Sequence, residues 1–149
     1  MKVAVGADHR GFGIKKAVVR LLRELGHDAV DVGTRNAEPC DYPDYAFKAA
    51  CLVAEGKADR GILVCKSGIG MAIAANKVRG IRAALCASKR AAALSRRHND
   101  ANVLVVGADE LTDPVRNVVK TWLDSPFEGG RHLRRLKKIL KFERTQKGR

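Results

Sequence analysis

Cys65 stands where a strand is expected to end, and the residues after it could hold an anion. Residues 59–76 read DRGILVCKSGIGMAIAAN. The apolar run 61–64 is too short for a helix and favours a strand. A turn follows through Lys66, Ser67, Gly68, Ile69 and Gly70, whose two glycines let backbone approach a ligand closely. Residues 71–77 then read as a helix start, rich in good formers and free of proline and glycine. A helix N-terminus offers free N–H groups and a positive dipole end to an anion. The same field favours the thiolate of Cys65. A phosphorylated or enolate-like ligand is the natural guest. The plainer reading, a buried cysteine before an ordinary turn, suits a lone cysteine better than one followed by Ser-Gly-Ile-Gly.

The remaining elements decide what meets that turn. Residues 2–6, KVAVG, form an apolar strand without alternation, as in a parallel sheet buried on both faces. Asp8 and His9 lie just beyond its carboxyl end. A helix over 12–25 carries Ile14, Ala17, Val18, Leu21, Leu22 and Leu25 on one stripe and stops at Gly26. Further strands are expected at 29–32, 81–85 and 102–106, and helices at 43–55, 89–97 and 114–123. Ser88 and Asp113 read as N-caps, Pro43 and Pro114 as first-turn residues. Strands alternating with helices imply an α/β fold with a doubly wound sheet of five parallel strands. The order 2-1-3-4-5 places a switch point between strands one and three. There the turn of Asp8 and His9 meets that of Cys65, and the loop bearing His98 is expected as a third neighbour.

The 149 residues suffice for one domain, 1–149, with a substantial core. Apolar residues at 46% and charged residues at 30% suit a soluble globular protein. The formal charge of +13 is uneven: residues 131–149 hold nine Lys/Arg against one acidic residue, and the first 130 hold twenty against fifteen. The excess sits at the C-terminus, so a global nucleic-acid-binding surface is not needed to explain it. Cys40, Cys51, Cys65 and Cys86 show no C-x-x-C pair and no histidine at metal spacing, so no zinc site is expected. A domain of this size needs no disulfides, so the thiols read as reduced and the location as cytoplasmic. No stretch reads as a signal peptide or a membrane span.

After Gly129 and Gly130 a sixth helix is expected over 131–143, within a C-terminal segment 129–145 that leads into a basic tail. Leu133, Leu136, Ile139 and Leu140 form its apolar stripe, and the rest is basic. No strand follows it. Such a helix suits a partner subunit; the alternative is packing on its own domain with a solvated basic face.

Six motifs occur in order across nearly the whole chain: GADHRG (6–11), DYPDYA (41–46), CKSGIGMAIAANK (65–77), GIRAAL (80–85), LSRRHNDANVLVVG (94–107) and FEGGRHLRRL (127–136). Together they resemble the ribose-5-phosphate isomerase B family, which also includes galactose-6-phosphate and allose-6-phosphate isomerases. The resemblance implies a Rossmann-like fold, a homodimer with active sites at the subunit interface, and no metal or organic cofactor. A tetramer of such dimers is compatible with it. It implies interconversion of an aldose phosphate and a ketose phosphate through an enediolate. Carried over by motif, Cys65 moves the proton between C2 and C1. Backbone N–H groups of Lys66, Ser67, Gly68, Ile69 and Gly70 meet the enediolate oxygens, and the Ser67 hydroxyl serves the oxygen that gains or loses a proton. His98 opens the furanose ring. Asp8 and Asn99 hold sugar hydroxyls. His9, Arg131 and Arg135 hold the phosphate, some of them from the neighbouring subunit; the two arginines, at i and i+4, share a helix face.

The chain departs from the family pattern at three positions. Lys66 replaces a usual glycine, Ser67 a common threonine, and Asp109 an arginine that contacts phosphate in many members. Ser67 keeps the hydroxyl. Asp109 removes a cation, for which Lys66 could compensate, and both changes bear on the substrate more than on the reaction class. The leading expectation is therefore an isomerase of ribose 5-phosphate and ribulose 5-phosphate. The runner-up is a six-carbon substrate, allose or galactose 6-phosphate. A basic nucleic-acid-binding protein is the competitor from another class, and 5% aromatic residues leave few stacking platforms for it. A dinucleotide module has only Gly68-Ile69-Gly70 in its favour, after the wrong strand.

Overall fold

The computed structural model describes residues 1–146; the last three residues of the basic tail, 147–149, lie outside them. Among the described residues, strands and helices alternate as β1 (Lys2–Ala7), α1 (Phe12–Glu24), β2 (Asp28–Asp31), α2 (Tyr42–Ala54), β3 (Arg60–Cys65), α3 (Ile69–Ala75), β4 (Ala83–Leu85), α4 (Lys89–Asn99), β5 (Val103–Gly107), α5 (Val115–Asp124) and α6 (Gly130–Thr145). The strands form one parallel sheet. Its two faces account for the apolar runs. Val3, Val5, Ile62, Val64, Leu104 and Val106 pack against α1 and α5. Ala4, Leu63, Cys65, Val103 and Val105 face α2 and α3 on the other side. Period-2 alternation thus divides each strand between two cores, and both are apolar. No helix among the described residues is long and apolar enough to cross a membrane.

The sheet order is β2-β1-β3-β5-β4, so the expected 2-1-3-4-5 is corrected at its last two places. Burial explains the exchange. All five residues of β5 are buried, as an interior strand requires. β4 is three residues long and partly exposed, which suits an edge. Side-chain amides complete that edge. Asn102 accepts from the Arg82 N–H at 2.8 Å and donates to the Gly80 carbonyl at 2.9 Å. Asn76 accepts from the Ala83 N–H and donates to the Ala83 carbonyl, both at 2.9 Å, imitating a neighbouring strand.

Two capping expectations resolve differently. The Ser88 hydroxyl accepts from the Ala91 N–H at 3.2 Å and caps α4 as expected. Asp113 does not cap α5; its carboxylate accepts from the Lys89 N–H at 2.8 Å and serves the start of α4 as well. The sixth helix starts at Gly130 after an N-cap at Gly129, both at positive φ. It leans on its own chain through buried His132 and Leu136 and through Glu143, which accepts from the Gly80 N–H at 2.8 Å. Leu133, Ile139 and Phe142 flank that strip and stay exposed. Own-domain packing therefore holds for one face of α6.

Candidate active site

β1 and β3 lie side by side with Ala7 opposite Val64. The register carries Asp8 and Cys65 out of the sheet together, at its carboxyl edge. Asp8 is buried, and its Oδ1 accepts from the N–H groups of Arg10 and Gly11, both at 3.0 Å. That turn lies on β3, because a Cβ at Gly11 would stand 2.4 Å from the Val64 carbonyl oxygen. His9 points to the loop before α2, where its Nδ1 accepts from the Cys40 N–H at 3.2 Å. The expected meeting of the Asp8–His9 turn with the Cys65 turn is therefore present.

Cys65 is buried, and its Sγ accepts from the Gly68 N–H at 3.2 Å. Gly68 has φ 78°, a left-handed conformation that glycine adopts without strain, and it starts α3. The Ser67 hydroxyl accepts from the Ile69 N–H at 3.3 Å. Two neighbours press on this turn. A Cβ at Gly70 would collide with the Tyr42 ring at 2.5 Å, and one at Gly107 with the Ser67 carbonyl oxygen at 2.5 Å. Tyr42 is half-exposed, with its ring against the turn. The strand exchange matters here: the segment after β5 lies beside Cys65, with the Ala108 N–H bonded to the Cys65 carbonyl at 2.8 Å. It also sets Asp109 beside Lys66, 3.9 Å apart and both well exposed. The departure at 109 is matched by the one at 66, though an exposed pair at this distance adds little stability.

The expectation of a lowered Cys65 thiol is corrected. Burial pushes it up first, and the Asp8 carboxylate adds to that. N–H groups of Gly68, Met71 and Ser67 pull the other way and are outweighed. The turn supplies the donors expected of it, yet the sulfur sits too deep for them to prevail.

His98 is not a third neighbour of Cys65 within the chain. α4 runs back along the sheet, so His98 and Asn99 lie beside the start of β5. Asn102 there bonds the Gly61 N–H through its carbonyl, whereas Cys65 is level with Gly107 at the other end. About 13 Å of strand separates the two levels. Around His98 stands a second cluster. Its ring is stacked on that of His132, with centroids 4.2 Å apart and planes 8° from parallel. Both Nε2 atoms face Glu128 Oε2, at 3.6 Å from His98 and 3.7 Å from His132. Glu128 Oε1 accepts from Arg97 Nε at 2.6 Å, and this bond holds the Glu128 carboxyl below its usual range. Burial, then the neighbouring His98 and Arg131, push His132 down. Arg131 and Arg135 are exposed and have no ion-pair partner among the described residues. Sequence reasoning singled out neither His132 nor Glu128. No spacing rule joins 98 to 128 and 132, because a whole β-α unit lies between them.

The chain therefore carries two groups of candidate residues at opposite ends of its sheet. One has a thiol, a carboxylate, an imidazole and a turn of N–H groups. The other has imidazoles and free guanidinium groups suited to an anion. The pattern described as Ribose/Galactose Isomerase matches residues 3–139. The chain is 44% identical over 146 residues to ribose-5-phosphate isomerase B of Escherichia coli (strain K12), covering 97% of this chain and 98% of that one. Among solved structures, ribose-5-phosphate isomerase B of Clostridium thermocellum superposes with a TM-score of 0.94 at 44% identity, over 97% of this chain and 99% of that one. The Mycoplasma genitalium enzyme with bound ribulose-5-phosphate gives 0.92 at 40% identity, over 96% of each chain. Matched by that pattern over residues 3–139 and similar to these proteins in sequence and fold along nearly its whole length, the chain belongs to the ribose/galactose isomerase family.

Proposed function

We propose that the protein interconverts ribose 5-phosphate and ribulose 5-phosphate by proton transfer through a cis-enediolate, in the cytoplasm and as a homodimer. The observation that carries the reaction is the Cys65 turn, a sulfur ringed by N–H donors beside a buried carboxylate, in a chain similar to ribose-5-phosphate isomerases along almost its full length. Removing a proton next to a carbonyl needs a base and stabilisation of the oxyanion that forms, and each oriented donor contributes about 10²–10³ in rate. In this reading Cys65 takes the C2 proton of the open-chain sugar and returns it to C1. Because burial holds the thiol up, the resting Cys65 must first give up its proton. Ser67 and the N–H groups of residues 66–70 meet the enediolate oxygens. His98 opens the furanose ring. Asp8 and Asn99 hold hydroxyls, and His9, Arg131 and Arg135 hold the phosphate.

The separation of the two groups is what supports the homodimer. One chain cannot bring His98 to Cys65, but a second copy laid against the carboxyl edge can offer its own His98, Asn99, Arg131 and Arg135. Exposed Ile69 and Ile73 beside the Cys65 turn, with Tyr42, Phe47 and Leu85, supply an apolar rim for such a contact. Phe142 on α6 lies on the side of Arg131 and Arg135. The test is turnover of ribose 5-phosphate by chelator-treated protein, beside Cys65→Ala. Turnover by the parent and its near loss in the variant are expected. A folded parent that is silent on ribose 5-phosphate but turns over allose or galactose 6-phosphate would replace the substrate, with the Lys66–Asp109 pair as the first residues to exchange.

A further inference from the structure

We propose that His98 Nε2, His132 Nε2 and Glu128 Oε2 form a binding site for a divalent transition-metal ion of the zinc type, and that the ion inhibits the enzyme by occupying His98. The second half rests on the ring-opening role given to His98 above; the binding itself does not. These three ligand atoms lie within 4.8 Å of one another. The carboxylate oxygen is 3.6 Å from one imidazole nitrogen and 3.7 Å from the other, too far for a good hydrogen bond to either. A triangle with these sides has its centre no more than about 2.4 Å from each corner, close to the ~2.0–2.2 Å of zinc–nitrogen and zinc–oxygen bonds. Two histidines and one glutamate are a zinc donor set that leaves a fourth place open. Calcium and magnesium prefer oxygen ligands and fit poorly.

The donors are also held in place from outside. His98 is on the last turn of α4 and His132 on the first turn of α6. The segment carrying Glu128 is tied to α4 by its N–H, which donates to the Arg97 carbonyl at 3.0 Å. The Arg97 side chain grips Oε1 and leaves Oε2 turned toward the two rings. Such support for a metal-binding carboxylate fixes its orientation before the ion arrives. Two features oppose binding. The rings are parallel, so each must tilt to aim its lone pair at the centre, and the stack opens. Arg131 and Arg135 add positive charge nearby. Both lower the affinity without blocking the site, which is open to water through half-exposed His98 and Glu128.

Zinc ion alone is titrated into the chelator-treated full-length protein by calorimetry, and cobalt ion is followed by its visible spectrum. The expected result is one ion per chain, with no sulfur-to-metal charge-transfer band. Affinity falls at least tenfold in Glu128→Gln and in His132→Asn and is unchanged in Cys65→Ala and Cys40→Ala. Glu128 is partly exposed, so Glu128→Gln keeps the test open if His132→Asn fails to fold. Absence of zinc binding by the parent overturns the site. So does binding that survives in Glu128→Gln and disappears in a cysteine variant. On ribose 5-phosphate, zinc slows the parent and slows Glu128→Gln much less, each against its own zinc-free rate. A zinc-loaded parent running at full speed overturns the inhibition. Because calorimetry reads binding without turnover, failure of the site and failure of the isomerase reading give different results.

Discussion

Burial and hydrogen bonding pull the Cys65 thiol in opposite directions, and burial wins. The consequence can be measured without substrate. A thiol held above its ordinary value is protonated at neutral pH, so its thiolate fraction rises about tenfold per pH unit through neutrality and levels off only above the usual thiol range. Alkylation of Cys65 by iodoacetamide is expected to follow that rise. A rate already flat at pH 7 would mean that the N–H donors, not burial, set the resting state. With substrate, Cys65→Ala is expected to lower kcat by about 10³ or more, within the span typical of acid–base groups and above the effect of an ordinary packing change. The residue was legible in the sequence because it ends an apolar run and precedes Lys-Ser-Gly-Ile-Gly. Its protonation was not, since depth beneath α2 and α3 is a property of packing rather than of local spacing. His132 shows the same limit. Its neighbour across the stack comes from another helix, so its sequence context alone gave no reason to single it out.

The elements position these residues through a few close contacts. Gly107 is one of the tight ones, since a Cβ there would stand 2.5 Å from the Ser67 carbonyl oxygen. Gly107→Ala is expected to push the Cys65 turn aside, costing about 1–3 kcal/mol of stability by overpacking and lowering kcat further than that loss explains. Wild-type kcat with unchanged melting temperature would show that the turn tolerates displacement. On the other side of β1, buried Lys15 on α1 bonds both oxygens of Asp31 at 2.9 and 2.7 Å and the Thr34 carbonyl at 2.7 Å. Lys15→Met leaves these acceptors without their donor. The expected cost in denaturant unfolding is about 2–3 kcal/mol, below the ~3–5 of a fully buried pair because Asp31 keeps some water. Most element positions were legible from periodicity and caps, as Ser88 illustrates. The order of β4 and β5 was not. Both are short apolar runs, and what separates them is burial, complete for β5 and partial for β4, whose Ala83 is bonded by the Asn76 side chain, which no period in the sequence encodes.

At the scale of the whole molecule, the proposed division of the site between two sheet ends makes a prediction that a self-contained active site would not. If Cys65 of one copy works with His98 of another, Cys65→Ala and His98→Asn damage different halves of the same site. Each variant alone is expected to be nearly inactive. When the two are mixed after reversible dissociation, half of the dimers are hybrids. In a hybrid, one site combines both damaged residues and the other is intact, so activity returns to about a quarter of the parent value. Light scattering should give the mass of two chains for each partner and for the mixture, and subunit exchange can be followed separately with a fluorescent label. Exchange without recovered turnover would place the whole site within one chain and remove the assembly from the mechanism. Recovery would also account for a C-terminal helix that rests on its own domain through one strip while keeping Arg131 and Arg135 exposed and, among the described residues, without an ion-pair partner. In the dimer proposed above, that arrangement stabilises the fold with one face and presents the other to the substrate phosphate.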